Sequence, residues 1–183
     1  MNIMHTTIQR NLSGPDSYFY CIRGIPDLEV DYFRNLVSRT ISDELLDQST
    51  NKSTRKGIQY ELYPPPKKIS SLVSFVQKQV TVTLKSSVEL VSAWTIYGEE
   101  NTYHSCHRHN TNDDICTVFY LDVNYEPNKD DGYLYFFKDG ECHHHEPKKG
   151  DLLIFPATMY HGTYPQPPGQ RQTLNMDFRR LTR

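Results

Sequence analysis

The stretch Gly150-Asp151-Leu152-Leu153-Ile154-Phe155-Pro156-Ala157-Thr158-Met159-Tyr160-His161-Gly162 opens on a turn glycine, runs through four apolar residues and stops at a proline. A run bounded in this way is a short buried strand, which puts His161 just beyond its end or on the strand that follows. Upstream, His107-Arg108-His109 carries two imidazoles two positions apart. Side chains alternate between the faces of a strand, so both rings can aim at one point from a single strand. His107, His109 and His161 thereby make a candidate metal site fed by two strands. Farther on, Arg171-Gln172-Thr173 sets a guanidinium fork and a hydroxyl on one strand face, a pair suited to a carboxylate.

Outward from this core, strands are expected at 88–97 and at about 103–109, 115–123, 132–137, 151–156, 159–164 and 171–178. Turns separate them at Glu126-Pro127-Asn128, Asp139-Gly140 and 165–169. Many short strands at this interval imply a sandwich or barrel, and a double-stranded β-helix, or jelly roll, fits. The first half reads differently. Residues 17–22 form a short strand, and Pro26 opens a helix reaching about residue 47, with Asp27 and Glu29 at its positive end. Its apolar residues Leu28, Tyr32, Phe33, Leu36, Val37, Ile41 and Leu45 keep helical spacing. Residues 49–57 contain no large apolar side chain and read as an exposed loop, and 58–63 as an edge strand that Pro64-Pro65-Pro66 ends. Ile69, Leu72, Val73, Val76 and Val80 predict a second helix, whose end is ambiguous because 80–84 alternates like a strand. No repeat or low-complexity linker intervenes. The expectation is a mainly β fold with flanking helices in one domain, 1–183, with 1–87 as support and 88–180 as the catalytic core.

The chain has 183 residues, with 20 Lys plus Arg against 22 Asp plus Glu and a formal charge of −2, so no overall basic field recommends a nucleic-acid or membrane surface. Arg179, Arg180 and Arg183 make only a small basic end. Thirteen Tyr, eight Phe and eleven Pro favour a β-rich, turn-rich chain over a helical bundle. No apolar run approaches the roughly 18 residues of a membrane span, and Met1-Asn2-Ile3-Met4-His5 lacks a signal pattern, so a cytoplasmic protein is expected. Cys21, Cys106, Cys116 and Cys142 include no Cys-x-x-Cys pair and are expected to stay reduced.

Taken in order, Trp94-Thr95-Ile96-Tyr97-Gly98, His107-Arg108-His109, Val118-Phe119-Tyr120-Leu121-Asp122, the run 131–136, the run 147–156, Met159-Tyr160-His161-Gly162-Thr163 and the run 171–178 resemble the Fe(II)- and 2-oxoglutarate-dependent oxygenases. The resemblance is strongest to prolyl-hydroxylase-like and phage-type members and covers about half of the chain, roughly residues 90 to 180. It implies a distorted double-stranded β-helix, a first ligand motif His-x-Asp/Glu, a distal His, and an Arg about ten residues later that binds the far carboxylate of 2-oxoglutarate. Arg171 follows His161 by ten. By this resemblance His107 and His161 hold Fe(II), Arg171 and Thr173 hold 2-oxoglutarate, and Tyr97 and Tyr120 match tyrosines placed around that co-substrate. The implied reaction decarboxylates 2-oxoglutarate to succinate and carbon dioxide while hydroxylating a C–H bond of a small molecule or a protein side chain, with ascorbate as an accessory reductant.

The departure is His109, which stands where the motif has Asp or Glu. Its position suits a ligand, whereas a neutral imidazole leaves the metal one unit more positive. Asp113 or Asp114 can supply the carboxylate from the loop before Ile115, or Cys106 and Cys116 can close a zinc site with the histidines. Cys142-His143-His144-His145 reads as the polar end of a hairpin, His104 as lying on the opposite strand face from His107, and Trp94 as packing. Two rival functions remain: a three-His cupin dioxygenase or isomerase that needs no 2-oxoglutarate, and a non-catalytic jelly-roll binding module.

Overall fold

A computed structural model describes residues 6–11, 18–49, 53–109, 114–126 and 130–181. The first half supplies β1 (Thr6–Asn11), β2 (Tyr18–Arg23), α1 (Asp27–Asp43), β3 (Thr54–Arg55), β4 (Ile58–Glu61) and α2 (Ser70–Leu84). The second half supplies β5 (Val88–Gly98), β6 (Tyr103–His107), β7 (Asp114–Asn124), β8 (Leu134–Lys138), β9 (Glu141–His145), β10 (Leu152–Pro156), β11 (Tyr160–Thr163) and β12 (Gln170–Arg180). One sheet has the order β1-β2-β10-β7-β12-β5-β4 and the other β3-β6-β11-β8-β9. From β5 onward the chain passes back and forth between them, four strands to each, which is the double-stranded β-helix. The early strands are more than a cover: β1, β2 and β4 extend the edges of the larger sheet, and β3 joins the smaller one.

The larger sheet is apolar on both faces, and strand parity sorts its residues. Phe19, Cys21, Cys116, Tyr120, Leu153 and Phe155 point between the sheets, where they meet Leu134 and Phe136 of β8. Ile22, Ile115, Phe119, Leu121, Leu152, Ile154, Leu174, Met176 and Phe178 point the other way, onto the helices. Here α1 packs with Val30, Phe33, Val37 and Thr40, Phe33 lying 5.1 Å from Phe75 of α2 and 6.2 Å from Phe119, ring centre to ring centre. The buried stripe therefore differs from the sequence expectation: Leu28, Tyr32 and Leu45 are exposed, and the helix ends at Asp43. On α2 the alternation at 80–84 loses to helical packing. Val80 is buried, Val82 faces out, and Lys85 closes the helix in the left-handed region with φ 52°.

Two local expectations are also corrected. Residues 53–57 are not simply an exposed loop, since Thr54 is buried and pairs with β6. The hairpin between β8 and β9 turns at Asp139-Gly140, both at positive φ, the geometry that follows the strand twist. Of its histidines, however, His145 is 3% exposed, with Nε2 3.0 Å from Asp151 Oδ2. Arg23 Nε sits 3.2 Å from the other oxygen of Asp151, and burial, then the nearby Asp151 carboxylate, pushes the Cys21 thiol up to about 12. These contacts tie β2, β9 and the start of β10 together. All four cysteines are free, and no described helix is long and apolar enough to cross a membrane.

Candidate metal centre and anion pocket

β6 and β11 are paired so that His107 lies directly opposite His161, which brings their rings to 4.4 Å between centres. His107 Nδ1 meets the Ser105 carbonyl oxygen at 2.8 Å and His161 Nδ1 meets that of Met159 at 2.9 Å. A carbonyl only accepts, so each Nδ1 carries the proton and each Nε2 is left as a free donor pair. His109 lies two residues past the end of β6, its backbone N–H donated to Ala157 O at 2.9 Å. Its Nδ1 faces Asp177 Oδ2 at 2.9 Å, which orients this third ring in the same sense. Ligand atoms of His107, His109 and His161 all fall within 4.8 Å of one another. Three imidazoles locked at Nδ1 and converging elsewhere are what a divalent ion needs, because outer partners fix the tautomer and direction of a metal-binding histidine.

The electrostatics agree. Burial drives the His161 pKa down to about 3, with the His107 charge adding to it, and burial likewise lowers His107. Both rings are therefore neutral and able to ligate at neutral pH. For His109 burial acts downward, but the hydrogen bond and charge of Asp177 outweigh it and the net shift is upward.

β12 supplies the opposite wall. Arg171, Thr173, Asn175 and Asp177 occupy alternate positions on it, and all four line the same cavity as the histidines, with Trp94 and Ile96 of β5 and Tyr120 of β7. Arg171 is 4% exposed and donates Nη1–H to the Gly132 carbonyl at 3.0 Å, with the Tyr125 hydroxyl at 3.5 Å. Among the described residues no carboxylate lies within ion-pair distance of it. Thr173 Oγ1 accepts from Asn175 Nδ2 at 3.1 Å, so its own O–H remains to be donated. The Tyr120 hydroxyl is fully buried without a partner among the described residues, and burial raises its pKa strongly. A cation, two hydroxyl donors and no anion make an anion pocket at one end of a cavity whose other end is the histidine cluster.

Other expected residues go elsewhere. Tyr97 is on the wrong face of β5: Trp94 and Ile96 point inward, so Tyr97 points to the helices, where its hydroxyl bonds Ser38 at 3.0 Å and Gln172 at 2.9 Å. Asp113 lies outside the described residues. Asp114 opens β7 with Oδ1 3.6 Å from Arg179 Nε and is absent from the converging set. Cys106 is exposed, so it cannot close a zinc site from inside, whereas Cys116 is buried with Sγ 3.3 Å from His109 Nδ1. His104 departs from simple alternation. His107 pairs with His161 but His104 pairs with Thr163, so Ser105 and Cys106 together oppose Gly162, and this bulge turns His104 into the cavity. There Thr54 Oγ1 occupies its Nε2 at 2.6 Å, and burial, then the His107 charge, holds its pKa well below the usual imidazole range. Asn175 and Asp177 continue the period of two that Arg171 and Thr173 begin, whereas Tyr125, just past β7, meets Arg171 with no such signal.

No protein-family model and no curated protein matches the sequence. Solved structures do match in fold. A prolyl-4-hydroxylase of Pseudomonas putida is 19% identical with TM-score 0.66, covering 97% of this chain and 94% of its own. The fold is that of the 2OG-Fe(II) oxygenases. A collagen prolyl hydroxylase of Paramecium bursaria Chlorella virus-1, solved as its 2OG complex, is 16% identical with TM-score 0.65 over 88% of this chain and 95% of its own. HygX of Streptomyces hygroscopicus, solved with nickel, 2-oxoglutarate and hygromycin B bound, is 13% identical with TM-score 0.69 over 88% and 82%. This 2OG-oxygenase fold places β6, β11 and β12 around one cavity, and the side chains described above are this chain's own.

Proposed function

We propose that this protein is an Fe(II)- and 2-oxoglutarate-dependent dioxygenase that hydroxylates a C–H bond of its substrate and forms succinate and carbon dioxide. The observation that carries the reading is Arg171, a permanent buried cation lining the cavity with no counter-ion among the described residues. Such a charge is costly to bury alone, and a bound carboxylate removes the cost. 2-Oxoglutarate has a carboxylate for Arg171 and a second one, with its keto oxygen, for a metal on His107, His109 and His161. Iron, when bound, supplies the oxidising chemistry toward dioxygen and the C–H bond. The protein holds and orients: three imidazoles set the metal, Arg171 with the Thr173 and Tyr120 hydroxyls sets the co-substrate, and the apolar walls of Ile96, Leu134 and Phe155 exclude water.

The substrate reaches this centre through a cleft of ≈ 430 Å³ lined by Ser49, Ser53, Gln59, Glu61, Ser92 and Trp94, with His107 and His109 at its base. Its size and hydroxyl-rich lining suit a polar small molecule or one side chain of a peptide. The free thiols fit a reducing compartment such as the cytoplasm.

One observation favours a second reading. Three histidines, with no carboxylate converging on them among the described residues, match the donor set of a cupin dioxygenase that uses no 2-oxoglutarate, and Arg171 argues against it. Purified protein given Fe(II), ascorbate and 2-oxoglutarate decides between them: succinate formation supports the proposal, and failure to bind 2-oxoglutarate at all rejects it in favour of the three-His enzyme.

A further inference from the structure

The three candidate ligands are not anchored alike. His107 and His161 give their Nδ1 protons to backbone carbonyls, whereas His109 Nδ1 faces a carboxylate, Asp177 Oδ2, at 2.9 Å. That carboxylate is built in. Strand register puts Asp177 of β12 directly across from Ser92 of β5 on one side and Cys116 of β7 on the other. Ser92 Oγ donates to Asp177 Oδ2 at 2.9 Å, and Cys116 Sγ lies 3.3 Å from the same imidazole nitrogen. Asp177 is 8% exposed, and its second oxygen is buried without a hydrogen-bond partner among the described residues. No lysine or arginine is within ion-pair distance of it among the described residues, so its charge is met by the Ser92 hydroxyl and the His109 imidazole.

We propose that Asp177 is a positioning residue that brings to the metal centre, through His109, the negative charge that the three converging histidines lack. The proposal rests on the metal reading above. Three neutral imidazoles leave a divalent ion with its full charge, whereas two imidazoles and a carboxylate leave one unit less. A carboxylate accepting the Nδ1 proton makes the opposite nitrogen a stronger donor, so the ring takes on part of the character of an anionic ligand. The carboxylate of the site stands one hydrogen bond behind the ligand. His109 is thus the counterpart of an acidic ligand in charge as well as position.

The experiment compares Asp177→Asn, Asp177→Ala and Asp177→Glu with the unmodified protein. The readouts are Co(II) affinity, the Fe(III)/Fe(II) midpoint potential and long-range ¹H–¹⁵N spectra of the histidines in metal-free protein. Asp177→Asn keeps an acceptor for Nδ1–H and removes the charge, so it should raise the midpoint potential and weaken Co(II) about tenfold. Asp177→Ala removes both and should reach the upper part of the roughly 10–100-fold range for outer partners. Asp177→Glu should recover part of the loss. In the unmodified metal-free protein His109 should show its proton on Nδ1. If Asp177→Asn has unchanged Co(II) affinity and potential, or the His109 proton lies on Nε2, the role of Asp177 is overturned. Failure of the metal reading looks different: His107→Ala and His161→Ala would then bind Co(II) as well as the unmodified protein does. The metal-free spectra need no metal and check that each variant is folded.

Discussion

Replacing Arg171 by methionine separates a binding role from a structural one. The side chain is 4% exposed, and its one close hydrogen bond is to Gly132 O at 3.0 Å. In the ligand-free protein this bond to a charged donor contributes about 1.5–3 kcal/mol, against a desolvation penalty of several kcal/mol for an uncompensated ion. Arg171→Met, of similar length and apolar, should therefore leave the metal-free protein as stable as before or more so. With 2-oxoglutarate bound the balance reverses, because the substitution strands a desolvated carboxylate. Removing one partner of a buried pair costs about 3–5 kcal/mol, and at 1.4 kcal/mol per decade the affinity falls roughly 10²- to 10³·⁵-fold. Arg171→Lys should sit between, keeping the charge without the fork. Urea unfolding of metal-free protein gives the first quantity, and calorimetric titration of 2-oxoglutarate into Mn(II)-loaded protein the second. An unchanged 2-oxoglutarate affinity together with a stability loss above about 2 kcal/mol would show that Arg171 is a structural cation and would remove the main support for the proposed function.

His107→Ala and His161→Ala should abolish Co(II) binding and His109→Ala should weaken it severely, while Asp113→Ala and Asp114→Ala leave it within about twofold; tight binding by His109→Ala would pass the third position to another residue. Tyr120→Phe deletes a buried hydroxyl that has no partner among the described residues, so stability should hold or rise while 2-oxoglutarate affinity drops roughly 10- to 150-fold, the worth of a hydrogen bond to a charged group; equal affinity would show that the hydroxyl does not meet the ligand. Gly162→Ala would set a Cβ 2.5 Å from the Tyr135 hydroxyl and 2.8 Å from the His104 backbone oxygen. Because one of these is backbone, β11 and β6 must separate, and metal affinity should fall along with thermal stability.

Most strands are legible because alternation and turn residues report them directly, and so are His107, His161 and Arg171, whose side chains the structure brings to one cavity, whereas the polar β1, β3 and β9 carry no apolar alternation to read. Strand parity separates the rest. Position in the motif points Tyr97 at the co-substrate, but Trp94 and Ile96 face inward and send Tyr97 to the helices. Parity also sends His104 outward, and there it does not hold, because the bulge beside Thr163 inserts one residue and reverses the face. A register shift leaves no mark in one sequence. His145 reads as part of a polar run, yet its strand position buries it against Asp151. On α1, several phases of the apolar stripe were available, and only packing against Phe75 and Phe119 selects the one through Phe33.

The inner face of β12 joins the remaining facts into one argument. Its inward residues run Arg171, Thr173, Asn175, Asp177, with a permanent cation at one end, a carboxylate at the other and uncharged donors between. At about 3.3 Å per residue, the six steps from residue 171 to residue 177 set the two Cα atoms roughly 20 Å apart along the strand. That length accommodates, in order, an arginine side chain, a five-carbon dicarboxylate, a metal ion and an imidazole, which is the sequence of groups the proposed function requires. The polarity has a consequence for selectivity. A dianionic ligand with carboxylates at both ends is drawn to Arg171 at one end and to the metal at the other, whereas a monocarboxylate satisfies only one of them and leaves either the cation or the metal unpaired. Succinate, which keeps both carboxylates and lacks the keto oxygen, should therefore compete with 2-oxoglutarate, and acetate should not. A protein that binds acetate as well as succinate would have no use for the separation between Arg171 and the histidines, and the ladder on β12 would be a packing feature rather than the ruler of the site.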